Sequence, residues 1–492
     1  MKDETTDSYG HVLKYTGLFG GVQGLNILVG LVRNKLVALL LGPSGMGLAS
    51  LFNATVAFLS QATNLGVSFS AVRHVSELFD VGDQERIAHY VKVVRAWSLL
   101  TGLLGFLVCV AAGPLLDYFT FSWGDHTLHF VLLAPAIFLL AVAGGEMAIL
   151  KGARRLKELA VMQVYNVFVS LLIAVPLYYF FGEAGIVPVI VLTGFVSLLL
   201  AVRYSYRIYP LQLRGAKGIL GEGMDMIKLG VSFTLAAIVG TASEMLIRSF
   251  LNVEGSLEDV GLYNACYMIT GTYAGMVFSA METDYFPRLS GVSHDVENTN
   301  LTVNRQMEVS LLLLAPMLLA LIMLLPVLIP LLFSREFVPV VAMTQVAVLA
   351  MYLKVMTLPV AYITLARGRS LAYLLLESSY FVVLVGLIIV GYRQWGLFGT
   401  GVAILGAHVF DYFMINGFAY WKYGYRCTAV LMRYALVQTA LGVMAYAVTC
   451  MAEGWAYWTA EAALTVVSTA YSVYVLRQKT HLWESLKRRF RI

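Results

Sequence analysis

Residues 25–53 read LNILVGLVRNKLVALLLGPSGMGLASLFN. The run from Leu25 to Leu41 is apolar except at Asn26 and Arg33-Asn34-Lys35, and a second apolar run opens at Met46. A helix needs about 20 mostly apolar residues to cross the hydrocarbon core. An ionised side chain at that depth costs roughly 2.5–3.5 kcal/mol on insertion scales, and is kept where it meets a partner, a cavity or a ligand. Arg248 interrupts the apolar run Val231 to Leu251 in the same way. Two such cations point to an anionic ligand between the two parts of the chain that carry them.

The pattern continues outward from this stretch. Of 492 residues 59% are hydrophobic and 13% charged, and the mean hydropathy is +0.77. That is an integral membrane protein. Fourteen spans are expected, near 15–41, 46–72, 91–113, 127–150, 159–181, 184–203, 225–251, 258–286, 306–332, 339–364, 370–391, 396–421, 430–451 and 454–476. With both termini in the cytoplasm, 28 of the 34 Lys and Arg, Arg95 among them, fall at inner loops and inner span ends, while Arg33, Lys35, Arg248 and Lys354 lie deeper in spans. Arg335 and Arg393 fall outside, as the positive-inside rule allows for a minority. The opening MKDETTDSYG lacks an h-region and a cleavage site, so the first helix is expected to be retained. Cys109, Cys266, Cys427 and Cys450 are scattered, which suggests neither disulfides nor a metal knot. The net charge of +5 follows the charge rule and gives no reason to expect nucleic acid; the tail SLKRRFRI reads as a solvated inner end.

The chain repeats itself. Lys14, Arg33, Gly47-Leu48 and Arg73 recur as Lys228, Arg248, Gly261-Leu262 and Arg288, at intervals that agree to within a residue. The offset is six spans, so both copies enter the membrane in the same direction, and the axis relating them lies along the membrane normal. The expected fold is all-α: a six-helix lobe over 1–208, a polar cytoplasmic linker over 209–224, a second six-helix lobe over 225–424, and an appended helix pair with a basic tail over 425–492. Repeats of this kind hold ligand at the interface of the halves and rock about it.

The segment LVRNKLVALLLGPSGMGLASLFN with the later NLGVSFSAVRHVSE, and DVGLYNA with TDYFPRLS, resembles the Wzx-type polysaccharide-unit flippases, closest to the lipid III group. These belong to the multidrug/oligosaccharidyl-lipid/polysaccharide (MOP) superfamily. The resemblance implies two lobes in alternating access, located in the bacterial inner membrane. It also implies translocation of undecaprenyl-pyrophosphate-linked sugar units to the outer leaflet for surface polysaccharide such as O-antigen. Other polysaccharide assembly proteins would be partners. Fourteen spans rather than twelve is similar to the lipid II flippase.

Guanidinium suits pyrophosphate because its planar fork donates paired hydrogen bonds while staying charged. Arg33, Arg248 and Lys354 are the candidate pyrophosphate ligands. Lys35 is a weaker one, since a residue two positions from Arg33 points elsewhere on the helix and reaches the interface. Arg248 has Glu244 one turn earlier, and Lys354 has Glu377 and Asp411 as alternative partners. Asn26, Asn53, Asn64, Tyr263, Asn264 and Tyr267 are candidates for sugar contact, although such residues also serve packing in membranes. No nucleotide-binding motif is visible and no cofactor is expected. Coupling would then use an intramembrane acid, with Glu244, Asp284, His408 and Asp411 the leading candidates. A multidrug and toxin extrusion (MATE) exporter of cations would favour acidic cavities. A membrane enzyme would need a larger external loop than Pro114 to His126.

Overall fold

The computed structural model describes the backbone of residues 2–121, 124–211 and 219–479. Side chains are described within these except at 2–27, 80, 156, 219–220, 228–229, 232–233, 272–274, 276–277 and 279–284. Every described element is helical: α1 Lys2–Thr63, α2 Val67–Val81, α3 Gln84–Thr120, α4 Thr127–Gly152, α5 Leu156–Phe181, α6 Ile186–Ile208, the single turn α7 Ile219–Glu222, and α8 Met224–Glu254. Then follow α9 Leu257–Tyr267, a π-helical turn Met268–Tyr273, α10 Ala274–Val292, α11 Val296–Leu332, α12 Val340–Ala366, α13 Ser370–Tyr423, α14 Ala429–Met451 and α15 Gly454–Lys479.

Ten helical segments are long and apolar enough to cross a membrane among the described residues. Three carry two of the expected spans each, because the chain reverses at a kinked residue instead of a loop. In α1 the kink is Gly42, at φ 65° and ψ −171°. Pro43 follows it; its ring excludes helical backbone from the preceding residue, and glycine alone takes positive φ freely. Gly182 (φ 55°) does this between α5 and α6, and Gly396 (φ 57°) within α13. The stretch from α9 to α10 covers the remaining expected span.

One expected span is corrected. Residues 46–72 are not one helix, since α1 ends at Thr63 and α2 starts at Val67. Leu65 and Gly66 between them hold φ 49° and 72°, and Gly66 lies against the backbone of Gly230 in α8. A Cβ on Gly66 would stand 2.2 Å from the Gly230 carbonyl carbon. The bend lets the two backbones meet.

The chain forms two compact units, residues 1–261 with 332–334, and residues 262–331 with 335–492. In the first, Phe52, Phe130, Leu133, Ile137 and Ile186 join α1, α4 and α6 in one apolar core. Val67, Val91, Val94, Trp97 and Ile149 form a second core under α2, α3 and α4. In the second unit α12 is the most enclosed of the spans, with most of its residues buried. The pair α14–α15 is fastened to that unit through Asn304 of α11. Its amide donates to Arg426 O (2.9 Å) and its Oδ1 accepts from the Thr428 backbone N–H (3.0 Å). Thr428 in turn caps α14 by accepting from Leu431 N.

Candidate functional site

Within the first unit the two halves of the repeat touch at matching residues. A Cβ on Gly47 would lie 1.9 Å from Leu257 O and 2.9 Å from Gly261 N. A Cβ on Gly261 would lie 1.9 Å from Pro43 O and 3.1 Å from Gly47 N. The contact is reciprocal, as a two-fold relation between the copies requires. Gly66 and Gly230 make a second backbone contact. The 19 residues between Gly47 and Gly66 place it about 28 Å further along the bundle at 1.5 Å per residue.

The repeat-related arginines flank the first contact and differ in state. Arg248 is 5% exposed. Its Nε donates to Ser50 Oγ at 2.8 Å, its Nη1 donates to Glu244 O at 3.0 Å, and it forms an ion pair with the Glu244 carboxylate. Arg33 is exposed on α1, within electrostatic reach of Tyr178 on α5, and no hydrogen bond or ion pair joins it to another described residue. Lys35 is half-buried and interacts with its surroundings. The repeat-related pair therefore presents one accessible guanidinium and one neutralised by an acid a turn away.

Lys354 stands in the second unit. Its Nζ lies 5.4 Å from the centre of the Phe278 ring, and it is within electrostatic reach of Glu377, His408 and Asp411 on α13. Phe278 also lines a small cleft with Tyr285, Gln306, Ser310, Pro359 and Tyr362. His408 is buried, with Nδ1 at 3.0 Å from Ile404 O and 3.5 Å from Tyr380 Oη.

The sugar candidates are dispersed. Asn53 is exposed and donates to Ala49 O at 2.7 Å, and Asn64 donates to Ser68 Oγ at 2.9 Å. Asn264 lies 3.8 Å from the Met268 sulfur, Tyr267 is half-buried, and Tyr263 is 2% exposed within the helix packing. The side chains of Asn26 and Asp284 lie outside the described residues.

The profile of the polysaccharide biosynthesis protein family matches residues 12–293. This chain belongs to that family. The lipid III flippase of Escherichia coli (strain K12) is 20% identical over 417 residues, covering 81% of this family member and 96% of the relative. The Shigella flexneri lipid III flippase matches to the same extent. Among solved structures, an inward-facing multidrug resistance MATE family transporter of the MOP superfamily matches with TM-score 0.66 and 16% identity, covering 87% of this chain and 96% of that one. The lipid II flippase MurJ in an inward closed conformation matches with TM-score 0.64 and 13% identity, covering 94% and 99%. The fold is that of the MOP superfamily.

Sequence reading did not reveal a buried ion pair made by a third arginine. Arg95, assigned from sequence to an inner span end, is 8% exposed, and its partner Glu146 on α4 is 2% exposed. Arg95 Nε and Nη2 donate to the two Glu146 oxygens at 2.8 and 3.2 Å. Nη2 also donates to Tyr209 O (2.9 Å), and the guanidinium stacks 4.0 Å from the Tyr206 ring centre. The clamp ties α3 and α4 to the end of α6. Its two charges are 51 residues apart in the sequence, so no local spacing reveals the pair. Residues 114–120 of the expected external loop continue α3, and the nearby acids serve the turn that follows it. Asp117 accepts from His126 N (3.1 Å) and Asp125 accepts from Thr127 N (3.0 Å).

Proposed function

We propose that this protein is a lipid-linked oligosaccharide flippase. It moves undecaprenyl-pyrophosphate-linked sugar units from the cytoplasmic to the outer leaflet of the bacterial inner membrane, for O-antigen-like surface polysaccharide. The observation that carries this reading is Arg33, an exposed guanidinium on an apolar helix, in a family member that aligns with nearly the whole length of lipid III flippases. A cation kept at that cost is retained for an anion, and a diphosphate accepts the paired hydrogen bonds of the guanidinium fork.

In this reading Arg33 takes the pyrophosphate first. Arg248 joins as its acidic neighbour releases it, with Lys35 at the rim, and Lys354 is the candidate cation of the second unit. Glu244 is the coupling acid of the first lobe, because a proton or metal cation arriving there frees Arg248. Asp411 and His408 serve the second lobe. Asn53, Asn64, Asn264 and Tyr267 meet the sugars. The two six-helix lobes, 1–208 and 225–424, rock in alternating access with both termini in the cytoplasm, and the two glycine contacts are the closures at the opposite membrane faces.

Deleting the gene tests the reading. Surface glycan is lost while complete undecaprenyl-linked units accumulate on the cytoplasmic leaflet. Normal glycan with new sensitivity to cationic dyes would instead place the protein among drug exporters.

A further inference from the structure

Helix α15 buries an acid that the transport reading does not use. Glu461 is 0% exposed, and both of its carboxyl oxygens lack a hydrogen-bond partner. It lies seven residues into α15, about 10 Å from the helix start. The rest of the helix pair satisfies its buried polar groups. Gln438 of α14 is equally buried, yet donates to Ser472 Oγ at 2.8 Å and accepts from Ser468 Oγ at 2.7 Å. Glu461 alone in α14 and α15 leaves buried polar atoms unpaired among the described residues.

Its neighbours explain which form of the acid fits. Tyr352 of α12 and Tyr457, one turn back on α15, are the titratable groups within electrostatic reach of Glu461. Both hydroxyl hydrogens point elsewhere. Tyr352 donates to Ala315 O at 3.0 Å and Tyr457 donates to Met323 O at 2.8 Å, both on α11. Gln345 of α12 donates to Ile322 O at 3.3 Å. The Tyr352 oxygen is therefore left as an acceptor, which suits a group that donates, while the Tyr457 oxygen is met by Gln345. An ionised carboxylate accepts only, and an unpaired buried one is disfavoured so strongly that the group neutralises instead. The cations of the pair are far away: Lys479, bound to Glu308, lies 18 residues further along α15, about 27 Å, with Arg477 in the same last turn and Arg433 at the start of the antiparallel α14.

We propose that Glu461 is a proton-binding site, its carboxyl held as the neutral acid between α12 and α15, and that the bound proton keeps the helix pair seated on α12. The pair without a counterpart in the repeat then carries a proton-sensitive joint of its own, whatever molecule the lobes transport.

The test compares the full chain and its Glu461→Gln variant in lipid vesicles. Glutamine matches the neutral acid in shape and charge, so the variant folds. At neutral pH the infrared difference spectrum is expected to show a protonated carboxylic acid band in the wild type that the variant lacks. A carboxylate band in its place would overturn the assignment. Hydrogen exchange tests the second half. After correction for intrinsic rates, α15 amides of the wild type exchange at least about tenfold faster at alkaline than at neutral pH, while those of Glu461→Gln do not change. Equal behaviour of the two proteins would show that the proton does not hold the pair.

Discussion

Gly261→Ala places one methyl group against the backbone contact that joins the two halves of the repeat. The new Cβ would stand 1.9 Å from Pro43 O, 2.8 Å from Pro43 C and 3.1 Å from Gly47 N. Real Cβ atoms essentially never approach within 3.0 Å, so the segments must part by about 1 Å. Both obstacles are backbone, so no side chain can turn away. Overpacking of this kind costs roughly 1–3 kcal/mol, and a shift of that size in a two-state equilibrium is about 5–150-fold. If the contact is a closure made and broken in each cycle, the cost falls on the closed state alone. Glycan export, measured against protein level in a deletion strain, is expected to drop by that factor while the level holds. Thiol probes applied from the outer face should label cysteines near Gly47 more readily in the variant. Gly386→Ala, where a Cβ meets nothing within 4 Å, is the control and should export normally. A Gly261→Ala protein that is depleted or unfolded would mean permanent packing. One that exports like the control would mean the contact is not made in the membrane, and either result refutes the closure.

The charged groups give the other predictions. Arg95→Ala leaves Glu146 buried without its partner and is expected to cost about 3–5 kcal/mol. Thermal melting and protein level should both fall, and Arg95→Met with Glu146→Leu should restore them. Arg33→Ala should abolish export at normal protein level, with Lys35→Ala milder; the reverse order would put the site on the other face of α1. Arg248→Ala strands Glu244 and should lower protein level, whereas Arg248→Ala with Glu244→Ala should restore the level and still fail to export. Burial, then the nearby His129, holds His126 below the ordinary histidine value of 6.5, so the unfolded chain binds that proton more readily. Stability is therefore expected to fall as the pH drops below about 6.5, a slope that Phe in place of His126 should remove from the melting curve.

The apolar runs carried the fold because a membrane leaves the backbone few options. Each expected span but 46–72 lies on continuous helix, and the repeat landmarks Gly47 and Gly261 meet as reciprocal contacts. The bend at Leu65–Gly66 was not legible, since its cause is a close approach to Gly230, far along the chain. Reversal without loops at Gly42, Gly182 and Gly396 likewise depends on positive φ, which composition does not reveal. The site was legible as a set of costly charges but not as a set of states. Sequence spacing offered Glu244 as a partner for Arg248, and the structure pairs them. It offered nothing for Glu461, whose environment is assembled from α11 and α12.

The difference between Arg33 and Arg248 follows from one substitution in the repeat. One turn before Arg248 stands Glu244, and one turn before Arg33 stands Val29, a buried apolar residue. The second copy therefore neutralises its guanidinium in place, while the first cannot. Ser50, which accepts from Arg248 Nε, comes from the helix of the opposite copy, so the neutralised arginine is also tied across the repeat. An anion entering a symmetric pair of free cations would be held equally from both sides, and tight holding of a ground state slows its release. In the proposed cycle one cation is free and the other is released only when its acid is discharged, which would make capture and transfer separate steps. Placing an acid at position 29 tests this. Val29→Glu should neutralise Arg33 as Glu244 neutralises Arg248, and export should fall as far as with Arg33→Ala while the protein remains folded. Unimpaired export by Val29→Glu would show that the free state of Arg33 is not what the lobe requires.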